Sequence, residues 1–233
     1  MEITSRIHGI DFEGRVWAYA CFERDRVTLI DTGIAERIDT AVQSIQMIGR
    51  TAEDVRQIIL THCHKDHTGL VAELKRRSGA IAYAHALDAP VIRGDMEIAN
   101  PLLTDSERRI LEQVSAGMPD AEPAGIDQEL SDGDEIEISG ENARVIHLPG
   151  HTPGSIGIFM PKSRAFFTGD AVASLSGRAL VGYFNIDPAQ ARRSFASLAD
   201  LEFEIACFGH GPPLLKNASL AFRREIERLS GNS

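Results

Sequence analysis

Hydrophobic residues recur with two different periods along the first half of the chain. Residues 16–22 (VWAYACF) and 26–33 (RVTLIDTG) are rich in β-branched and aromatic residues, and a short polar turn separates them. This composition is typical of paired β-strands. Across residues 34–48, isoleucine and valine recur at every third or fourth position, and Gly49 follows. That period predicts a helix that ends at the glycine.

The remaining segments repeat this mixture of strands and helices. Thr51 and Asp54 can cap a short turn before a buried strand at residues 57–62, and residues 68–77 have a helical period. Further strands are predicted at 80–85, 134–139, 143–148, 155–160, 164–170 and 204–211, and further helices at 188–199 and 217–229. Strands and helices mixed in two batches predict a layered α/β sandwich that forms one domain over residues 1–233.

Residues 86–130 are less regular and read as an excursion from this core. Within the excursion, Thr104 and Glu107 form a capping-box pattern for a helix that carries Ile110, Leu111 and Val114. We expect most of these apolar residues to pack the helix onto the sandwich and a few to line the approach to a site. The excursion is therefore the candidate substrate-covering segment.

Composition and charge restrict the classes of partner. The chain has 233 residues, 43% hydrophobic residues and a formal net charge of −10, without a Lys/Arg-rich stripe. This balance favours a small-molecule substrate over a nucleic acid, because nucleic-acid binding needs basic patches. No apolar run reaches the roughly 18–20 residues that cross a bilayer, and the first residues lack a signal-peptide pattern. With three separated cysteines, we expect a cytoplasmic protein with no membrane partner; a homodimer is possible.

Candidate chemistry is concentrated in residues 60–69, LTHCHKDHTG. Three of the eight histidines and one aspartate lie within six residues. Protonated imidazoles repel one another at such short range, whereas a metal ion favours neutral imidazoles beside a carboxylate. His62 and His64 are two residues apart at a strand end and can project in one direction, which turns Cys63 away. Asp66 and His67 follow in the loop, so this cluster indicates a metal site.

Three other predicted strands also end in a histidine or aspartate next to glycine. These residues are His151 in LPGHTPGS, Asp170 in FFTGD and His210 in CFGHG. Glycine lets the backbone turn tightly and approach closely at such positions. Together with residues 60–69, they make four strand ends that present metal-ligating side chains. His85 and His147 lack this context, and we expect structural roles for both.

The order and spacing of these motifs, from Asp31-Thr32-Gly33 to His210, resemble the metallo-β-lactamase-fold hydrolases over nearly the whole chain. The resemblance implies a four-layer αβ/βα sandwich with a metal site at the edge of its two sheets. It also implies two divalent ions, zinc first and iron or manganese as alternatives, with Asp31 supporting a ligand loop. The implied ligands are His62, His64 and His151 for one ion, Asp66, His67 and His210 for the other, and Asp170 as the bridge.

Branches of this superfamily differ in what they require. True β-lactamases generally lack a carboxylate at the Asp170 position, which argues against that activity as the main one. Acyl-homoserine lactonases share the ligands but carry tyrosine where this chain has Ala173, and Tyr183 could substitute from the following loop. Glyoxalase II has a similar ligand set but a larger C-terminal region than the residues after His210.

The resemblance leads to a hydrolase of small esters or lactones, with a metal-bridging hydroxide as nucleophile and Asp66 as the catalytic proton shuttle. Thioester or phosphoester hydrolysis is the alternative. A mononuclear iron sulfur dioxygenase is a further alternative, and it would use only His62, His64 and His151. A non-catalytic binding protein would be favoured only if a ligand were missing, and none is.

Overall fold

Two β-sheets face each other and carry helices on both outer surfaces in the computed structural model, which describes residues 1–231. This arrangement confirms the predicted αβ/βα sandwich. The first sheet has seven strands that lie side by side in chain order. They are β1 (Glu2–Thr4), β2 (Ile7–Phe12), β3 (Val16–Glu23), β4 (Arg26–Ile30), β5 (Val55–Ile59), β6 (Ile81–His85) and β7 (Gln128–Leu130).

The strands of this sheet change from antiparallel to parallel at β4. Short turns join β1 to β4 as an antiparallel meander, whereas β4 to β7 are parallel and need longer crossover connections. In the parallel part, Ile30 is opposite Ile59, and Ile59 is opposite Tyr83. The carboxyl ends of β4, β5 and β6 therefore lie at the same edge of the sheet.

The second sheet has five strands in the spatial order β14-β11-β10-β9-β8. Its strands are antiparallel except for β11 and β14, which are parallel. A separate hairpin, β12 with β13, follows β11. The ranges are β8 (Glu135–Ile138), β9 (Glu141–His147), β10 (Ile156–Met160), β11 (Ala165–Phe167), β12 (Val172–Leu175), β13 (Arg178–Val181) and β14 (Ile205–Cys207).

The seven helices of the described chain cover the outer faces or connect the strands. They are α1 (Ile38–Met47), α2 (Lys65–Thr68), α3 (Val71–Ser78), α4 (Ala89–Ile92), α5 (Asp105–Ser115), α6 (Pro188–Ala196) and α7 (Ala218–Ser230). A 3-10 turn at Ala52–Asp54 carries the predicted Thr51–Asp54 capping box. None of the helices within residues 1–231 is long and apolar enough to cross a membrane.

Three apolar clusters hold the four layers together. Between the sheets, Ile59 from the first and Ile158 from the second belong to one buried cluster. Ile45 of α1 packs on the outer face of the first sheet, and Phe195 and Phe222 of α6 and α7 pack on the outer face of the second. Burial of this kind contributes roughly 25 cal/mol per Å² of apolar surface, so the sandwich provides a stable base for the loops at its edge.

Two predicted helix starts were wrong, and both errors lie near the ligand loops. The first helix starts at Ile38, because Ala35 and Glu36 form a turn before it in which Glu36 has a positive φ of 65°. The helix expected at residues 68–77 forms as α3 but starts only at Val71, and Asp66 and His67, which were expected in a loop, lie in the short helix α2. Gly69 donates its N–H to the Gly33 carbonyl, and Leu70 donates to the Thr32 hydroxyl. The loop after β4 thus accepts backbone donors that a continuous helix would use internally.

The expectation that the excursion helix packs onto the sandwich was also wrong. Its capping box forms as predicted, but α5 has no buried residue, and Ile110 and Val114 are 50% and 43% exposed. Hydrogen bonds instead tie the segment at its ends, from Leu102 N–H to the Asn185 carbonyl (3.0 Å) and from the Arg15 guanidinium to the Val114 carbonyl (2.6 Å). Helical period alone does not show whether a surface exists to receive the apolar face.

Candidate metal centre

The fold brings all of the predicted ligands to one edge of the sandwich, where β5, β9, β11 and β14 end. Their candidate ligand atoms form overlapping groups of three in which all atoms lie within 4.8 Å of one another. The groups are His62 with His64 and His151, His62 with His67 and Asp170, and Asp66 with His67 and His210. We call these side chains the ligand cluster.

Asp170 is the central member of the ligand cluster. Its Oδ2 lies 3.0 Å from His210 Nε2 and 3.6 Å from His151 Nε2, and its Oδ1 lies 3.3 Å from His67 Nε2. The carboxylate therefore faces histidines of both implied triads. This is the placement that a bridging ligand needs.

Hydrogen bonds on the outer side of the cluster orient the imidazole rings. A carbonyl or carboxylate oxygen can only accept, so the ring nitrogen facing it must carry the proton. The Nδ1 atoms donate in three cases: His67 to Asp31 (2.9 Å), His151 to the Tyr183 carbonyl (2.9 Å) and His210 to the Arg15 carbonyl (2.6 Å). In the neutral ring, each bond leaves the Nε2 lone pair directed into the cluster, as ligation of an ion requires.

Asp31 also fixes the segment that precedes the first ligands. It is buried and accepts from the Thr61 N–H (2.8 Å) and hydroxyl (2.7 Å), in addition to His67. The resemblance to the metallo-β-lactamase-fold hydrolases implied such a supporting role for Asp31. It did not identify the carbonyls of Arg15 and Tyr183, because a main-chain acceptor leaves no mark in residue type.

Unsatisfied polar atoms show that these residues fit a metal ion. His62 Nε2, His67 Nε2 and Asp170 Oδ1 are buried without a hydrogen-bond partner. An unsatisfied buried donor or acceptor costs about 1–3 kcal/mol. Imidazole and carboxylate groups in this number match the ligand preferences of zinc, iron or manganese. A cation at the centre of the cluster would satisfy all three atoms.

The electrostatics of the two implied triads differ. Burial lowers the pKa of His62, His64 and His151, that of His151 to about 3, so these imidazoles are neutral as ligands must be. Burial also acts to lower the pKa of His210, but the charge of Asp170 outweighs it and raises that pKa to about 10. The pKa of His67 is raised in the same way, again mainly by Asp170. The carboxylate charge around the second triad therefore favours a bound cation.

Gly209 allows the close approach of Asp170 and His67. A Cβ atom at this position would lie 2.1 Å from Asp170 Oδ1 and 2.5 Å from His67 Cε1. Both distances are far inside van der Waals contact. The glycine before His210 is therefore required for the cluster to assemble, as the strand-end pattern indicated.

The ligand cluster opens to solvent on the side of the second triad. The side chains of His210 and Asp66 are 39% and 15% exposed, whereas His62, His67 and His151 are buried. A substrate or a proton can therefore reach Asp66 from solvent, and the buried histidines lie beneath it.

The other residues considered from the sequence lie outside the cluster. His85 and His147 stack on each other with ring centroids 4.2 Å apart, which agrees with structural roles. Cys63 is buried in the apolar cluster on the outer side of the first sheet, so the alternation argument was right. Ala173 is buried, and the Tyr183 side chain is exposed while its carbonyl holds His151.

Comparison with known proteins gives a family match over most of the chain. Residues 12–210 match the family described as the metallo-beta-lactamase superfamily. The chain is 28% identical over 218 residues to the probable metallo-hydrolase YflN of Bacillus subtilis, covering 87% of this chain and 80% of YflN. It is 27% identical over 150 residues to the hydroxyacylglutathione hydrolase GloC of Haemophilus influenzae, covering 64% of this chain and 62% of GloC.

A solved structure with a similar fold is a metallo-beta-lactamase family protein from Thermus thermophilus. It has a TM-score of 0.73 at 21% sequence identity, and the match covers 99% of this chain and 80% of the other. At this identity the likeness concerns the fold.

Proposed function

The chain belongs to the metallo-β-lactamase superfamily and is a metal-dependent hydrolase, and we propose that it uses two metal ions to hydrolyse small esters or lactones. The observation that carries the proposal is the position of Asp170 between two sets of inward-facing histidines. A site for one ion would not need a carboxylate that faces both sets.

The residues of the second triad supply the proton chemistry in this proposal. Divalent ions bound here would lower the pKa of a bound water and polarise the oxygen of the scissile bond. Asp66 lies beside His210, with Oδ2 3.4 Å from Nε2, and is accessible to solvent. It can therefore accept a proton from the attacking water and pass it to the leaving group or to solvent.

The surroundings of the opening favour a small, partly apolar substrate. Leu102, Ile110 and Val114 are exposed. Their segment is hydrogen-bonded at Leu102 to the Asn185 carbonyl and at Val114 to the Arg15 guanidinium. The carbonyl of Arg15 in turn accepts from His210. These apolar side chains suit an acyl chain or a ring. A polyanion is disfavoured by the net charge of −10.

Thioester hydrolysis is the second candidate, and the similarity to GloC favours it. The same ligand cluster would serve either an oxoester or a thioester, because both reactions proceed by attack on a carbonyl. A mononuclear dioxygenase is less well supported. It would leave Asp66, His67 and His210 assembled at the site without a role.

A matched substrate panel tests these alternatives. Protein with quantified metal would be assayed against a lactone, an oxoester and a thioester of the same acyl group, together with a phosphodiester and structured RNA. We expect turnover of the lactone or oxoester, about two divalent ions per chain, and loss of at least one ion in His151→Ala.

Each competing reading has its own result in this panel. Preference for the thioester would move the protein to the second candidate. Efficient nuclease activity with inert esters and lactones would exclude both. A single tightly held iron in active, oxygen-consuming protein would favour the dioxygenase.

A further inference from the structure

Asp88 is a buried carboxylate outside the ligand cluster that no step above uses. It lies between β6 and α4, and it is only 1% exposed. Its Oδ2 accepts from the Cys63 N–H (2.9 Å) and the Thr152 hydroxyl (2.6 Å), and its Oδ1 accepts from the Gly154 N–H (2.7 Å). Three donors on two oxygens are the hydrogen bonding that makes a buried charge tolerable.

These donors belong to the two chain segments that supply the first triad. Cys63 stands between His62 and His64, and Thr152 follows His151 directly. The segments are 87 residues apart in the chain, yet His64 Nδ1 and His151 Nε2 lie 2.8 Å from each other. The Asp88 carboxylate therefore connects the two segments whose histidines must come together to bind one ion.

Packing around Asp88 leaves little freedom for this connection. A Cβ atom on Gly154 would lie 2.6 Å from Asp88 Cγ, so only glycine permits the observed contact. Thr152 also hydrogen-bonds to Ser155 (2.8 Å), which closes the turn after His151. The position of that turn relative to residues 62–64 is thereby set by hydrogen bonds of definite direction.

We propose that Asp88 is a positioning residue for the first metal position, holding the His62–His64 segment against the His151 loop. The inference rests on the metal site of the proposed function. Asparagine at position 88 would keep the shape but direct an NH₂ group at one set of donors. Loss of outer supports of this kind commonly costs about 10- to 100-fold in metal affinity, and we expect Asp88→Asn to do the same.

Glu141 provides a matched control, because it lies at the end of β9 that is remote from the ligand cluster. It is also a buried carboxylate that clamps a turn, accepting from the Lys162 N–H (2.7 Å), the Ser163 N–H (3.2 Å) and the Ser163 hydroxyl. Six residue steps of extended strand, roughly 20 Å, separate it from His147 and the ligand edge. Glu141→Gln makes the same chemical change without touching the ligand segments.

The experiment measures Co²⁺ binding to the metal-free full chain by competition with a chelator, together with the visible absorption spectrum of the Co²⁺ form. Unfolding of the metal-free protein is recorded for each variant. We expect both amide variants to lower the unfolding temperature, and only Asp88→Asn to weaken Co²⁺ binding and alter the spectrum. Thr152→Val should also weaken Co²⁺ binding. Thr152→Ser, which keeps the hydroxyl, should bind Co²⁺ as the wild-type chain does.

The outcomes separate this inference from the proposal on which it depends. Wild-type binding and spectra in both Asp88→Asn and Thr152→Val would reduce Asp88 to a structural role, as would equal weakening by Glu141→Gln. If Asp88→Asn does not fold, the Thr152 pair decides the question alone. Failure of the wild-type chain to bind Co²⁺ would overturn the metal site itself, and the role of Asp88 with it.

Discussion

Arg15 is hydrogen-bonded both to the ligand cluster and to helix α5, but these two regions are built in opposite ways. The cluster occupies loops whose side chains are largely buried and hydrogen-bonded from behind, as Asp31 holds His67. Helix α5 has no buried residue, and its segment is tied mainly near its ends, for example by Arg15 at the Val114 carbonyl. The ligand cluster is therefore fixed by packing and buried hydrogen bonds, whereas helix α5 is fixed by a few hydrogen bonds near its ends.

In the proposed function, the buried loops carry the chemistry of the site and the exposed helix contributes to substrate preference. Changes within the buried loops leave polar atoms unsatisfied and disturb several ligands together. Changes on an exposed helix cost little stability, because no core contact is lost. The predictions below test that separation, from the largest expected effect to the smallest.

Asp170→Asn should have the largest effect on turnover. The amide removes the charge between the two implied metal positions, and loss of one electrostatic contribution at a reacting centre typically lowers kcat by about 100- to 1000-fold. Folding should change far less than turnover. Steady-state kinetics at saturating metal, with unfolding of the metal-free protein, would measure both.

The control for this variant is Asp25→Asn, in the exposed turn between β3 and β4. It removes the same formal charge at the opposite edge of the sheet and should leave kcat unchanged. Near-normal turnover of metal-replete Asp170→Asn would remove Asp170 from the site.

Asp31→Asn should weaken metal binding by about 10- to 100-fold. Asp31 accepts from Thr61 and from His67 Nδ1, and an amide cannot accept on both sides at once. The variant should bind less Co²⁺ at a given free concentration, as measured by chelator competition. Unchanged affinity would mean that the His67 ring is held by its packing alone.

Isoleucine truncations on two helices compare the regions by stability. Ile45→Ala removes a fully buried side chain of α1 and should lower the free energy of unfolding by about 2–5 kcal/mol. Ile110→Ala on α5 should change it by less than about 0.5 kcal/mol, because that side chain is half-exposed. Urea unfolding measures both values. A large loss for Ile110→Ala would show that α5 packs more tightly than its exposure indicates.

Replacing the exposed apolar residues of α5 should have the smallest effect, confined to substrate preference. In the double variant Ile110→Ser with Val114→Ser, we expect kcat/KM for a long-chain ester to fall several-fold, since about 1 kcal/mol of apolar contact corresponds to about fivefold. Short-chain esters and metal content should be unaffected. Met47→Ser, which replaces a still more exposed apolar side chain on α1 (76% exposed), should leave kcat/KM for both substrates unaltered. Equal losses for short and long chains would place α5 outside substrate selection.

Sequence reasoning was most reliable where the signal is local. The Thr104–Glu107 and Thr51–Asp54 capping boxes join residues three apart, and both form as predicted. Alternation along a strand likewise placed Cys63 in the core. It missed the start of the helix expected over residues 68–77, which begins only at Val71, because the loop after β4, far earlier in the chain, accepts the N–H groups of Gly69 and Leu70.

By itself, then, the sequence determined the layered α/β architecture and the strand ends that carry histidine and aspartate, since both follow from residue type and short-range periodicity. Only the tertiary structure decided which oxygens stand behind the ligands, among them Asp88 and the carbonyl of Arg15. It also decided that the apolar face of α5 stays exposed. These features depend on contacts between segments far apart in the chain. Residue type and short-range periodicity in a single sequence do not indicate such contacts.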